Sequence, residues 1–224
     1  MRTGEFFPIA TFMILLINVS VFIFSFDEIS HLFLSFFNPE YYVKPKIYSY
    51  GLHPTTLKEN PYILVTHMFI HDNWIHLVVN MLLLTSIGML VEREIGGFNF
   101  ISLYFFSGFF GVLINLLTRF IFPVPNIVSI GSSGCIFGVL FLGSVLCGEE
   151  KVPIIFVPIL NLLSPYVYLL GFKLDVNLGL AFMFYIIFSV MLILLKFGNL
   201  MELSHFGGIL GGLVYFWLLS PKKT

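Results

Sequence analysis

Charge is scarce in this sequence. Only 10% of its 224 residues are Asp, Glu, Lys or Arg, against roughly a quarter in soluble domains, and so little charge does not cover a water-exposed globular surface. The 11 basic and 12 acidic residues leave a formal net charge of -1, which excludes the basic footprint that nucleic-acid binding needs. Cysteine is nearly absent. The two present, Cys135 and Cys147, lie on one apparent helix, about 18 Å apart along its axis, too far to bridge each other. They read as packing thiols. No low-complexity tract, internal repeat or soluble domain interrupts the chain.

Apolar residues fill the space, at 58% of the chain with 18% aromatic, and their runs approach or exceed the roughly 18 to 20 residues that cross a hydrocarbon core. A polytopic, all-α membrane protein follows. Spans are predicted over residues 6–26, 74–91, 98–117, 133–148, 177–195 and 205–219. Met1 to Glu5 is short and runs directly into the first span, which fits a transmembrane helix better than a cleaved signal peptide. Residues 27–61 alternate apolar and charged stretches and carry prolines at 39, 45, 54 and 61, so one continuous helix is ruled out. They read as an interfacial first loop with Tyr41, Tyr42, Tyr48 and Tyr50 at headgroup level. Residues 153–171 are apolar but broken by Pro153, Pro158 and Pro165. Each proline removes a backbone donor that lipid cannot replace, so this segment is predicted not to span but to lie at the interface or dip in and return.

Within the spans the polar residues are few and similarly placed. His76 and Asn80 are four apart near the start of the second span, so they share a helix face. Ser133 opens the fourth span in Ile130-Gly131-Ser132-Ser133-Gly134, and His205 opens the sixth. If the amino terminus is cytoplasmic, spans two, four and six all enter from the outer side and these residues lie at one depth. The fourth span is only about 24 Å long, so Ser133 sits below the membrane surface. Polar groups at that depth are costly and by default functional. Small residues at four-residue spacing, Gly134 and Gly138 against Gly208 and Gly212, let two helices touch backbone to backbone. That contact would bring the His205 imidazole within reach of the Ser133 hydroxyl.

On these motifs the chain resembles a rhomboid-family intramembrane serine protease, a single membrane domain over residues 1–224 with a six-helix bundle. Gly131-Ser132-Ser133-Gly134 matches that family's Gly-x-Ser-Gly. His205-Phe206-Gly207-Gly208 with Gly212 matches its last-helix pattern, and His71-Asp72-Asn73-Trp74-Ile75-His76 through Asn80 matches that of its second helix. The resemblance implies a Ser133–His205 dyad with the oxyanion held by His76, Asn80 and the Ser133 backbone N–H. Gly131, Gly134, Phe137, Gly138, Gly208 and Gly212 play supporting parts. It implies no metal or cofactor, and it implies transmembrane protein substrates cleaved within the lipid bilayer of a cell membrane, with the active site opening toward the outer side. Two departures stand out. Asn60-Pro61-Tyr62-Ile63 occupies the region of a first-loop Trp-Arg, and Phe137 replaces the common tyrosine one turn after the serine, so it can stack on His205 but not hydrogen-bond. No aspartate lies on spans four or six, which points to a dyad. Glu202, three residues before His205, is a possible orienter.

Rival readings remain for each residue. Ser133 alone could be an interhelical hydrogen-bonder or a back-bonder to its own helix, and Asn80 alone could be glue between helices. His67, His71 and His76 could be part of a metal site, although no His-Glu-x-x-His is present. His71 otherwise reads as a structural hydrogen-bonder, and His31 and His53 as loop residues. Beside the endopeptidase stand two other functions: a catalytically inactive relative that binds membrane segments, and a small transporter or channel.

Overall fold

The computed structural model describes residues 6–26, 49–122, 128–155, 173–194 and 202–219. Within them six long helices follow the apolar runs: α1 (Ile9–Phe24), α2 (Trp74–Ile95), α3 (Gly97–Ile121), α4 (Ser133–Leu146), α5 (Leu178–Leu194) and α6 (Leu203–Leu219). A short helix, Ile63–Thr66, runs into a 3₁₀ turn at His67–Phe69 that leads into α2. Most of the interfacial first loop, residues 27–48, lies outside the described residues, with Tyr41, Tyr42 and Tyr48 in it.

Helix α2 runs past its expected end at Val91 because Glu92 is buried, not solvated. Its carboxylate accepts the backbone N–H groups of Ala10 at 2.9 Å and Thr11 at 2.7 Å, and the Thr11 hydroxyl at 2.7 Å. These are first-turn donors of α1 that have no partner within their own helix, at the end where the helix dipole favours an anion. One side chain thus fastens the end of α2 to the start of α1. The chain then turns at Gly96, whose φ of 80° and ψ of 158° are open only to glycine, and α3 begins at the next residue.

Helices α2 and α3 are long and apolar enough to cross a membrane by length and composition; the other four are shorter apolar helices. Phe24, Phe98, Phe120, Leu194 and Trp217 point outward and are largely exposed, a surface suited to lipid and not to water. Helix α4 differs. Eight of its 14 residues, Cys135 through Leu140 with Leu142 and Gly143, are buried, as befits a helix that is apolar all round and enclosed by others. Helix α6 lies against both α3 and α4. A Cβ placed on Gly208 would collide with the Gly134 carbonyl oxygen, and one on Gly212 would come within 2.6 Å of the Gly138 carbonyl oxygen. Backbone therefore meets backbone along the α4–α6 seam.

Besides helices, the described residues contain one antiparallel two-stranded ladder, β1 (Lys151–Ile155) with β2 (Lys173–Asn177), in which Pro153 sits opposite Asp175. Val152, Ile154, Ile155 and Val176 are β-formers, and a two-stranded ladder consists of edges, where proline is tolerated. The strands hold the two ends of the proline-broken segment side by side. Its interior, residues 156–172 with Pro158 and Pro165, lies outside the described residues. Two further bonds, Leu178 N–H to the Glu150 carbonyl at 2.8 Å and Gly179 N–H to the Gly148 carbonyl at 3.0 Å, tie the entry of α5 to the exit of α4.

Candidate active site

Ser133 is the first residue of α4, and the chain before it is held on both sides. Ser129 exchanges backbone hydrogen bonds with Leu52 of the first loop, at 2.8 and 3.0 Å. The Ser129 hydroxyl accepts from Asn115 Nδ2 at 2.8 Å and from the Arg119 guanidinium at 3.2 Å, both on α3. Gly131 N–H donates to the His67 carbonyl at 2.9 Å. Gly131 has φ +104°, a conformation that L side chains rarely adopt. That turn puts Ser133 at the helix start, where its backbone N–H is one of the four without a partner in the helix.

The imidazole of His205, in the first turn of α6, has Nε2 at 2.8 Å from the Ser133 hydroxyl oxygen. The Phe137 ring stacks on it at 4.3 Å with a 3° interplanar angle. On the far side of the ring, Nδ1 lies 3.1 Å from Glu202 Oε2 and 3.3 Å from Ser189 Oγ of α5. A carboxylate can only accept, so it assigns the ring proton to Nδ1. Nε2 then carries the lone pair that receives the Ser133 O–H. Burial alone would raise the Glu202 carboxyl, but its hydrogen bond from His205 and the charges of His205 and His76 hold it below the usual carboxylate range.

His76 and Asn80 face the same place from α2. The turn at Asn73, whose side chain accepts the His76 N–H at 2.9 Å, starts this helix with both side chains toward α4. A Cβ on Gly131 would stand 2.8 Å from His76 Nε2 and 3.9 Å from Asn80 Nδ2, so both nitrogens converge on the Gly131–Ser133 turn. The buried Asn80 gives one amide N–H to the His76 carbonyl at 3.1 Å, and the same nitrogen carries a second donor. His76 Nδ1 is 2.8 Å from Asp72 Oδ1. Burial pushes the Asp72 carboxyl up, and the hydrogen bond and charge of His76 more than offset it, leaving Asp72 below its ordinary value.

A cleft of about 440 Å³ opens onto Ser133, His205, His76 and Asn80, with Asp72 and Glu202 also on its wall. The other two histidines stand behind it. His67 Nδ1 bonds the Ile63 carbonyl at 2.8 Å, and burial pushes its imidazole down to about 4. His71 is held well below its usual value by burial and by the nearby His76, and its Nε2 lies 3.4 Å from the Ser132 hydroxyl. His67, His71 and His76 thus take separate partners, and no three metal-ligating side chains are grouped among the described residues. His53, bonded to the Thr55 hydroxyl at 2.6 Å, lies in the first loop away from the cleft; His31 is outside the described residues.

Two residues at this site were not singled out from the sequence, Asp72 and Ser189. Asp72 had a signal, since it precedes His76 by four and such pairs meet on a helix face. Ser189 had only its place as the one serine in an apolar span.

A family model described as Rhomboid domain matches residues 58–222. The Arabidopsis thaliana Rhomboid-like protein 11, chloroplastic, is 45% identical over 85 residues, 38% of this chain and 29% of the relative. Rhomboid protein 1, mitochondrial, of Saccharomyces cerevisiae is 30% identical over 156 residues, 68% of this chain and 40% of the relative. The match therefore spans well under half of either relative's length.

Proposed function

The chain belongs to the rhomboid family of integral-membrane proteins, and from that premise we propose that it is an intramembrane serine endopeptidase cleaving transmembrane segments of other membrane proteins. The observation that carries the reading is the 2.8 Å contact between Ser133 Oγ and His205 Nε2 on the wall of a cleft. His205 takes the hydroxyl proton as Oγ attacks the scissile carbonyl, then returns it to the leaving amine. A water deprotonated by the same nitrogen hydrolyses the acyl-enzyme. The Ser133 N–H, Asn80 Nδ2 and His76 Nε2 are the donors for the tetrahedral oxyanion. His76 donates through Nε2 while Nδ1 bonds Asp72 only when its ring carries both protons. No step calls for a metal or cofactor. A fluorophosphonate should label Ser133 covalently; a protein that cleaves no transmembrane substrate and takes up no label would instead be a binder of membrane segments.

Asn80→Ala should lower turnover by about 10²–10³ with little change in KM, because the donor is used mainly in the transition state. Activity should be indifferent to chelators. Loss in EDTA with recovery on adding zinc would replace this reading with a metal site built on the histidines.

The orientation belongs to the same proposal: six spans, an amino terminus in the cytoplasm of a cell with this protein in its cell membrane, and the cleft opening outward. The count of six is supported by the β1–β2 ladder, since a segment that crossed a core of roughly 30 Å could not end opposite its own beginning; the side on which the amino terminus lies is part of the proposal alone. Glu150→Cys and Asp175→Cys, each in a background without Cys135 and Cys147, should both be shielded from an impermeant thiol reagent in intact cells. Labelling at Asp175→Cys alone would mean a seventh span and set His205 on the wrong side for Ser133.

A further inference from the structure

Every heteroatom of the proposed dyad has a partner, and the least expected of them is the carboxylate behind the histidine. Glu202 stands directly ahead of α6, three residues before His205, a spacing that places both on one face as the helix begins. Its Oε2 reaches Nδ1 at 3.1 Å. Helix α4 offers Ser133 and the Phe137 ring, and α5 offers the Ser189 hydroxyl; across the cleft, His76 of α2 and Asp72 in the turn before it bond each other. Among the described residues, Glu202 is thus the carboxylate within hydrogen-bond distance of this ring. The Ser189 hydroxyl at 3.3 Å can serve either as donor or as acceptor, so it cannot choose the tautomer. A carboxylate can.

We infer that Glu202 completes a Ser133–His205–Glu202 triad as a positioning residue, holding the Nδ1–H so that Nε2 stays the base and compensating the imidazolium that forms when Ser133 attacks. This rests on the endopeptidase reading and deepens it. The alternative for Glu202 is purely structural, an acidic group beside the positive end of a helix. The two roles separate through pH. A negative charge beside an imidazole favours its protonated form, so removing that charge lets the neutral base persist to lower pH, and the acid limb of the activity profile moves down. Loss of a helix-end contact alone leaves the limb where it is.

The test measures the rate of fluorophosphonate labelling at Ser133 against pH, in detergent, for the full chain and for Glu202→Gln and Glu202→Asp, with melting and elution recorded for each. Glu202→Gln keeps the shape and loses the charge. Its expected rate is roughly 10- to 100-fold lower, less than the loss seen when a fully buried triad carboxylate becomes an amide, because Glu202 is partly exposed and Ser189 remains. Its acid limb should move down by about one pH unit or less, and Glu202→Asp should recover part of both. An unchanged rate and limb, or a lower rate with an unmoved limb, overturns the triad. The unmodified protein supplies a second measurement that no misfolded variant can spoil. The ¹⁵N shifts of the His205 ring, identified by their loss in His205→Ala, should report the proton on Nδ1 in the neutral form, and a predominant Nε2–H tautomer overturns the inference as well. If the unmodified protein takes up no label, the endopeptidase reading itself fails and the triad falls with it. Labelling that is indifferent to Glu202→Gln removes the triad alone.

Discussion

Ser133→Ala and His205→Ala are each expected to abolish cleavage of a transmembrane substrate, with losses on the order of 10⁵–10⁶ and with the double variant no worse than either single one. Non-additivity follows from the geometry. One proton moves between Oγ and Nε2 across 2.8 Å, so removing either atom leaves the other with nothing to do. Both variants should stay folded, because neither side chain fills the core. Ser132→Ala is the control. Ser132 is buried behind the cleft, its hydroxyl 3.4 Å from His71 Nε2. Losing this hydrogen bond between buried groups should cost about 1–3 kcal/mol of stability and touches neither reacting atom, leaving substantial activity. A dead Ser132→Ala beside an active Ser133→Ala would assign the nucleophile to the wrong hydroxyl.

Much of this arrangement could be read before any coordinates because membranes make polarity conspicuous. In an apolar span His76, Asn80, Ser133 and His205 have no bland background to hide in, and glycine at four-residue spacing announces which helices approach. Glu202 was weighed from sequence only as a possible orienter, since whether a carboxylate just outside a helix points inward depends on a first turn that spacing does not fix. Asp72 lies ahead of the second span, and its spacing from His76 does not by itself show that the turn there aims the carboxylate at the ring. The Leu52–Ser129 bridge left no trace either. A single backbone pair 77 residues apart in sequence carries no periodicity and no side-chain preference. The end of α2 was misplaced for a related reason. Glu92 in a charged triplet looks solvated until its partners at Ala10 and Thr11, 82 and 81 residues away, are known.

Gly208→Ala should lower fluorophosphonate labelling by at least about 100-fold, although the substitution adds one methyl group and touches neither reacting atom. Its Cβ would enter the space of the Gly134 carbonyl oxygen, a backbone atom that no rotamer change can move aside. Either α6 or α4 must shift, and overpacking of this kind costs about 1–3 kcal/mol or more. His205 is one turn before Gly208 on α6, and Ser133 is the residue before Gly134 on α4, so the shift separates the two reacting groups directly. A misplacement of about 1 Å is worth on the order of 10² in rate, and hydrogen bonds weaken steeply beyond their usual range. Labelling should therefore fall by at least about 100-fold, with a lower melting temperature in detergent. Gly179→Ala is the matched control, because a Cβ there would meet its nearest neighbour, the Gly148 carbonyl, at an ordinary 3.6 Å. It should label and melt like the unmodified protein. Full labelling in Gly208→Ala would show that the α4–α6 seam does not set the distance between Ser133 and His205.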